Sequence, residues 1–417
     1  MSLLPSVVEE IGGARLYAWV TTVYLVASVI GATTVGSVLT RFGPRRSYLV
    51  ALSFFALGTA VCTLASGMPV LLAGRAVQGL AGGIVAGLGY AVISAVLPER
   101  LWTRAAAVVS AMWGVGTVVG PASGGLFAQF ASWRWGFALL LILAVLVSLL
   151  VPLALPQRGG PATAPLRVPV WSLALLGLAA LTVSLAALPA DPVATIALLA
   201  LAVALVLVFI MVDRRAAARV LPQAVFQPGP LKWIYLTLGV LMASTMVDMY
   251  VPLFGQRLAG LSPLIAGFLG AALSIGWTVG EIRSASISHR RSAARVVTVA
   301  PLVMAAGLGL AALGPVSTAV WAAGLVVAGT GIGIAWPHLS VWAMGSESDP
   351  GGQAVASAAV NTVQLICGAF GAGVAGVMVN IRDAPDVTMA RSTFALFTGL
   401  AVLGLVASRR ASRPREK

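Results

Sequence analysis

Residues 135–155 read WGFALLLILAVLVSLLVPLAL, twenty-one positions without a charge. As a helix rising about 1.5 Å per residue, such a run crosses the roughly 30 Å hydrocarbon core of a bilayer. Comparable runs recur on both sides of it. The whole chain of 417 residues is 59% hydrophobic and only 9% charged, where a soluble domain carries roughly a quarter charged residues. Dividing the length into two or three soluble domains therefore has no basis, and the chain reads as an all-α polytopic membrane protein.

Reading apolar runs against Gly, Pro and charged punctuation predicts thirteen complete spans. They cover 16–39, 47–66, 69–97, 103–130, 135–155, 170–189 and 193–212, then 232–255, 262–282, 296–313, 316–336, 352–380 and 392–408. The loops between them divide unequally. Twenty basic residues fall on one side, including Arg41, Arg45, Arg46, Arg214, Arg215, Arg290 and the tail from Arg409, against five (Arg15, Arg134, Arg257, Arg382, Arg391) on the other. The positive-inside rule then places the C-terminus in the cytoplasm and residue 15 outside. Met1–Glu10 (MSLLPSVVEE) is too short to span and lacks the parts of a signal peptide. It reads as the outer end of a helix whose beginning is absent.

The net charge of +14 sits in short clusters between spans, so it argues for loop topology and not for nucleic-acid binding. The chain has two lysines, Lys232 after Leu231 and Lys417 after Glu416, so no phosphate-binding Gly-Lys loop exists and an ATP-driven pump on this chain is excluded. Cys62 and Cys367 lie in apolar runs and read as small buried hydrophobes. His289 and His338 have no Cys, Asp or Glu at ligand spacing. The expectation is a non-enzyme with no metal and no cofactor.

Three stretches follow in order. The first is Gly36-Ser-Val-Leu-Thr-Arg41-Phe-Gly43-Pro-Arg45-Arg46, a basic turn. The second, Arg75-Ala-Val-Gln78-Gly79-Leu-Ala-Gly82-Gly83, lies in the third complete span. The third, Gly116-Thr-Val-Val-Gly120-Pro121-Ala-Ser-Gly124-Gly125, lies in the fourth. They resemble the loop motif, the arginine motif and the antiporter motif of the N-terminal half of the major facilitator superfamily. Asn361-Thr-Val-Gln364-Leu-Ile-Cys-Gly368-Ala-Phe-Gly371 and Gly329-Thr-Gly331-Ile-Gly333 resemble helices of the second half in its fourteen-span drug:proton antiporter branch. The runs 170–189 and 193–212, inserted between two six-helix halves, are what separates that branch from twelve-span relatives.

The resemblance implies a first half over 1–155 with its first span truncated, a linker with two additional spans over 156–231, a second half over 232–408, and a basic tail over 409–417. It also implies proton-coupled efflux of amphipathic, cationic or lipid-like compounds by alternating access. The partners are then a small molecule, protons and lipid, with the chain monomeric in a bacterial plasma membrane. Two departures stand out: Thr40 replaces the usual Asp of the loop motif, and the acid of the family's first span has no residue here. Uptake of a polar nutrient and a non-transporting receptor or scaffold are the alternatives.

Within the spans, Arg75, Asp248 and Glu281 are the candidates for proton coupling, since an ionisable group in hydrocarbon needs a partner or water. A snorkelling Arg75, an Asp248 paired with Arg257 and a Glu281 paired with Arg283 are the structural alternatives. Gly116, Gly120 and Gly124 form a small-residue strip for close packing, with Pro121 allowing a bend. Trp19, Tyr24, Gln78, Trp113, Tyr250, Asn361 and Gln364 are candidates for a cavity wall, against lipid-facing positions for the aromatics.

Overall fold

The structure is a computed structural model that describes residues 3–96, 112, 115–116, 119–120, 123–155, 169–189, 191–216, 219–287, 289–313, 317–346, 350–380 and 385–413. Among these residues every regular element is helical. A short α1 (Leu4–Ile11) precedes α2 (Tyr17–Thr63), α3 (Met68–Val96) and α4 (Arg134–Ala154). Two further helices follow, α5 (Val170–Leu185) and α6 (Pro192–Arg215). The second half holds α7 (Leu231–Thr245), α8 (Val251–Ala259), α9 (Pro263–Ala285), α10 (Arg290–Ala312), α11 (Thr318–Met344), α12 (Pro350–Val379) and α13 (Asp386–Ala411). Eleven stretches are long and apolar enough to cross a membrane, and α5 at 16 residues falls short. The predicted span 103–130 lies mostly outside the described residues.

The first two predicted spans are two limbs of the continuous stretch α2, separated by a sharp reversal at Gly43. Gly43 takes φ 71° and ψ 172°, and Pro44 opens the second limb, where its missing N–H costs nothing. Ser47 Oγ donates to the carbonyls of Gly43 at 2.7 Å and Val38 at 3.0 Å. In a straight helix, residues nine apart would stand about 13 Å apart along the axis. Both limbs then pack on α3. The basic turn of the sequence is thus a glycine–proline corner with Arg41 and Arg46 exposed beside it and Arg45 half-buried, while Gly36 lies in the first limb.

The halves repeat with an offset of 249 or 250 residues, legible in which glycines touch what. Gly31, Gly58, Gly74, Gly79 and Gly83 are matched by Gly280, Gly307, Gly324, Gly329 and Gly333 against equivalent backbone. A Cβ on Gly79 would sit 2.3 Å from the Tyr24 carbonyl oxygen, and one on Gly329 1.7 Å from that of Leu273. Helices α2 and α3, and likewise α9 and α11, therefore meet backbone to backbone. Gly329→Ala should force α9 and α11 apart and cost about 1–3 kcal/mol, read as a lower melting temperature in detergent. Gly399→Ala, where nothing lies within 4 Å, is the control and should melt with the parent.

Helix α5 touches both halves. Ser184 Oγ donates to Thr22 Oγ1 at 2.9 Å, the Trp19 indole donates to the Ser184 carbonyl at 3.1 Å, and a Cβ on Gly373 of α12 would meet Val183 at 2.9 Å. Trp19 is thereby committed to α5. Asp213, fully buried in the last turn of α6, accepts from the N–H groups of Val220 at 2.8 Å and Leu221 at 3.0 Å and turns the chain back toward α7. Asp213→Ala should leave both donors unpaired, costing about 1–3 kcal/mol. Faster proteolytic cleavage after residue 216 would register the loss, and parental cleavage rates would contradict it.

Candidate functional site

Two ends of the bundle differ in charge. Arg15, Glu10, Arg134, Arg257 and Asp386 gather at an arginine-poor end, where Glu10 pairs with Arg134 and Arg257 with Asp386 at 3.6 Å. Arg134 also donates to the Ala65 carbonyl at 2.9 Å, and Asn380 Nδ2 donates to that of Arg15 at 3.1 Å. At the arginine-rich end, Arg290 stacks on Trp342 at 3.7 Å and Arg410 on Trp233 at 4.3 Å.

Arg75 stands seven residues into α3, about 10 Å along the axis from the arginine-poor end. It turns inward. Its Nε donates to the Val20 carbonyl at 3.1 Å, its Nη1 to Gln78 Oε1 at 2.5 Å, and the guanidinium lies 4.0 Å from the centre of the Tyr24 ring. Gln78, almost fully buried, passes the chain on through Nε2 to Thr59 Oγ1 at 2.8 Å. A guanidinium suits this position because one planar fork can donate twice while its face meets an aromatic ring. None of these partners is a carboxylate.

Asp248 lies where the first span of the second half breaks. Leu231–Ala259 is one membrane-length stretch, yet Met246–Tyr250 tightens to a 3-10 turn between α7 and α8, and Pro252 in the first turn of α8 has no N–H to continue the ladder. Asp248 is half-buried between the fully enclosed Val247 and Met249. Arg257 is taken by Asp386, so the pairing of Asp248 with Arg257 does not occur, and no hydrogen bond or ion pair joins the Asp248 carboxylate to a described residue.

Tyr17 connects the two charges. Its ring stacks on Tyr250, centroids 4.7 Å apart and 22° between planes, and its hydroxyl donates to the Met249 carbonyl at 3.1 Å. Less than two turns along the same limb of α2, Val20 and Tyr24 hold Arg75. Tyr250 is 1% exposed, so in this conformation it closes a seam between the halves and lines no open wall. The other described contacts across the halves cluster toward the same end. Leu264 N donates to Gln129 Oε1 at 3.4 Å, a Cβ on Gly125 would lie 2.7 Å from Leu264 Cα, and Gly376 and Gly368 of α12 face Ala18 and Leu25.

A family model for the Major Facilitator Superfamily matches residues 1–372. The chain belongs to the major facilitator superfamily. It is an all-α, multi-pass membrane protein of a transporter family and not an enzyme. It is 55% identical to a "probable multidrug-efflux transporter" of Mycobacterium tuberculosis (strain H37Rv), over 99% of this chain and 90% of that one. A multidrug transporter of Bacillus subtilis (strain 168) is 24% identical over 91% of this chain and 71% of its own. Among solved structures, a D-xylose–proton symporter superposes with a TM-score of 0.68 at 17% identity, covering 98% of this chain and 91% of the other. A nucleoside transporter gives 0.66 at 14% identity over 99% and 95%. At these identities the two structures speak for the fold alone.

The remaining candidates of this major-facilitator chain separate. Asn361 and Gln364 are half-buried on the face of α12 that also carries Gly368 and Gly371, one and two turns toward the arginine-rich end from the contact with Leu25 and Met242. Glu281 lies eleven residues, about 16 Å, along α9 from the Gly270 that approaches Asp248. Among the described residues it forms no ion pair; Arg283, two positions on, points around the helix and is exposed. Gly116 and Gly120 meet nothing described within 4 Å and Gly124 is buried; close packing is seen at the neighbouring Gly125, against Leu264. Trp113 and Pro121 lie outside the described residues. Tyr17 is the seam residue that sequence reading passed over, since an aromatic at the start of a span looks like an interfacial anchor.

Proposed function

We propose that this chain exports amphipathic or cationic compounds in exchange for protons, the halves rocking about a site between α2, α3, α7 and α12. The observation that carries export is the 55% identity, across nearly the whole chain, to a relative named as a probable multidrug-efflux transporter. Coupling to protons is supported by Asp248, a carboxylate in a broken span that forms no ion pair among the described residues. Arg75, held over Tyr24 and Gln78, is the positive charge beside the same seam. Glu281 is assigned to the pathway nearer the arginine-rich end, with Tyr24, Gln78, Asn361 and Gln364 as wall residues.

Helices α5 and α6 between the halves support the fourteen-span drug:proton branch and the division into 1–155, 156–231 and 232–408. The arginine-rich end and the 409–417 tail are assigned to the cytoplasm of a bacterial plasma membrane by the positive-inside rule, and the chain works as a monomer. Reconstitution into proteoliposomes with an imposed pH gradient tests the reading. Ethidium and the neutral dye Nile red should both be moved against their gradients when the proton gradient is present. Failure to move either dye with the gradient in place overturns the export reading.

A further inference from the structure

The face of α9 turned away from lipid carries a group that the fold does not require. Ile265, Phe268, Ile275, Val279 and Ile282 form one exposed apolar stripe, between 39% and 69% accessible, as a lipid-facing surface should. Away from that stripe Ser274, Trp277 and Glu281 follow at helical spacing, with Thr278 on the flank, and all four are half-buried. Trp336 of α11 joins them, its ring 5.2 Å from that of Trp277 and inclined by 55°. Glu281 follows Trp277 by four positions, one turn along the same side of α9.

The nearby positive charges are occupied elsewhere. Arg283 is exposed on another side of the helix, and Arg290 lies on Trp342. The ion pairs among the described residues are Glu10–Arg134 and Arg257–Asp386. Glu281 is thus a half-buried carboxylate with no ion pair among the described residues, one turn from Trp277, whose ring pairs with that of Trp336. The repeat offset places Ser28, Ala32 and Ala86 at the equivalent positions of the first half, where the same helix packing is achieved without aromatic or acidic groups. Packing alone therefore explains neither tryptophan nor the glutamate.

We infer that Glu281, Trp277 and Trp336 form a receiving site for planar organic cations at the arginine-rich mouth of the pathway. The inference rests on the export reading and adds a place and a charge class to it. The carboxylate supplies the counter-charge and the indole faces supply cation–π contact, strongest where water is excluded. Neutral substrates gain only the apolar contact and should depend on it little.

Binding, measured apart from transport, tests this. With purified protein in lipid nanodiscs, ethidium affinity should fall about tenfold in Glu281→Gln, recover in Glu281→Asp, and fall about fivefold in Trp336→Leu while Trp336→Phe retains most of it. Nile red should bind all four within about twofold, which also shows that the variants are folded. Unchanged ethidium affinity in Glu281→Gln overturns the site, as does an equal loss for both dyes. If wild-type protein binds ethidium in this pattern yet moves neither dye in vesicles, the site stands and the export reading falls.

Discussion

Asp248→Asn is expected to leave the binding of a neutral dye intact and to stop substrate-dependent proton movement. The substitution keeps the size and the hydrogen-bonding capacity of the side chain and removes its titration. Loss of a positioned proton-transferring group costs about a hundredfold or more in rate, and Glu281 lies about 16 Å along α9 from Gly270, the residue of that helix beside the Asp248 backbone. The break at Met246–Tyr250 matters here: it places the carboxylate beside the seam closed by Tyr17 and Tyr250, where opening and closing would alter its surroundings. Cationic dyes should suffer more than neutral ones, because a counter-charge in a low-dielectric cavity is worth more than in water. Drug-induced pH change in vesicles, measured with one dye of each kind, reads the result. Undiminished proton flux in the Asn variant would move the coupling role to Glu281.

Arg75→Ala is expected to abolish coupled transport while the protein still inserts into the membrane. The arginine clamps α3 to α2 through the Val20 carbonyl and the Tyr24 ring, so its removal also leaves Gln78 Oε1 without its donor. The stability loss should be about 1–3 kcal/mol, visible as a lower melting temperature. Arg75→Lys separates the two roles. It keeps the charge but cannot make two forked bonds and stack at once, so it should retain partial coupling with a similar drop in melting temperature. Wild-type coupled transport by the Ala variant, assayed below its melting temperature, removes Arg75 from the mechanism and leaves it a structural clamp.

Much of this protein is legible from residue order, because a bilayer leaves few solutions. An uncharged run such as 135–155 must satisfy its backbone internally, so it is a helix, and the order and approximate limits of the eleven membrane-length stretches among the described residues follow. Gly43-Pro44 marks a corner for the same local reason: one residue accepts φ 71° and the next has no N–H to lose. Lone charges in apolar runs single out Arg75, Asp248 and Glu281. What residue order leaves open is their partners, because three-dimensional neighbours are set by helices hundreds of positions apart.

The tertiary structure decided those partners. Arg257 goes to Asp386, which leaves Asp248 without it; Arg283 is exposed and makes no ion pair with Glu281, while Trp277 meets Trp336, 59 positions away. Tyr17 and Tyr250, separated by 233 positions, meet face to face and turn a supposed cavity wall into a closed seam. The glycine contacts show the difference most plainly. Gly79 and Gly329 are visible as glycines in the sequence, yet their equivalence appears only when each is found against a backbone carbonyl of the neighbouring helix. Hydropathy and local stereochemistry act within a turn or two of helix and are written in order along the chain, whereas ion pairing and close packing depend on distances that the folded bundle alone creates.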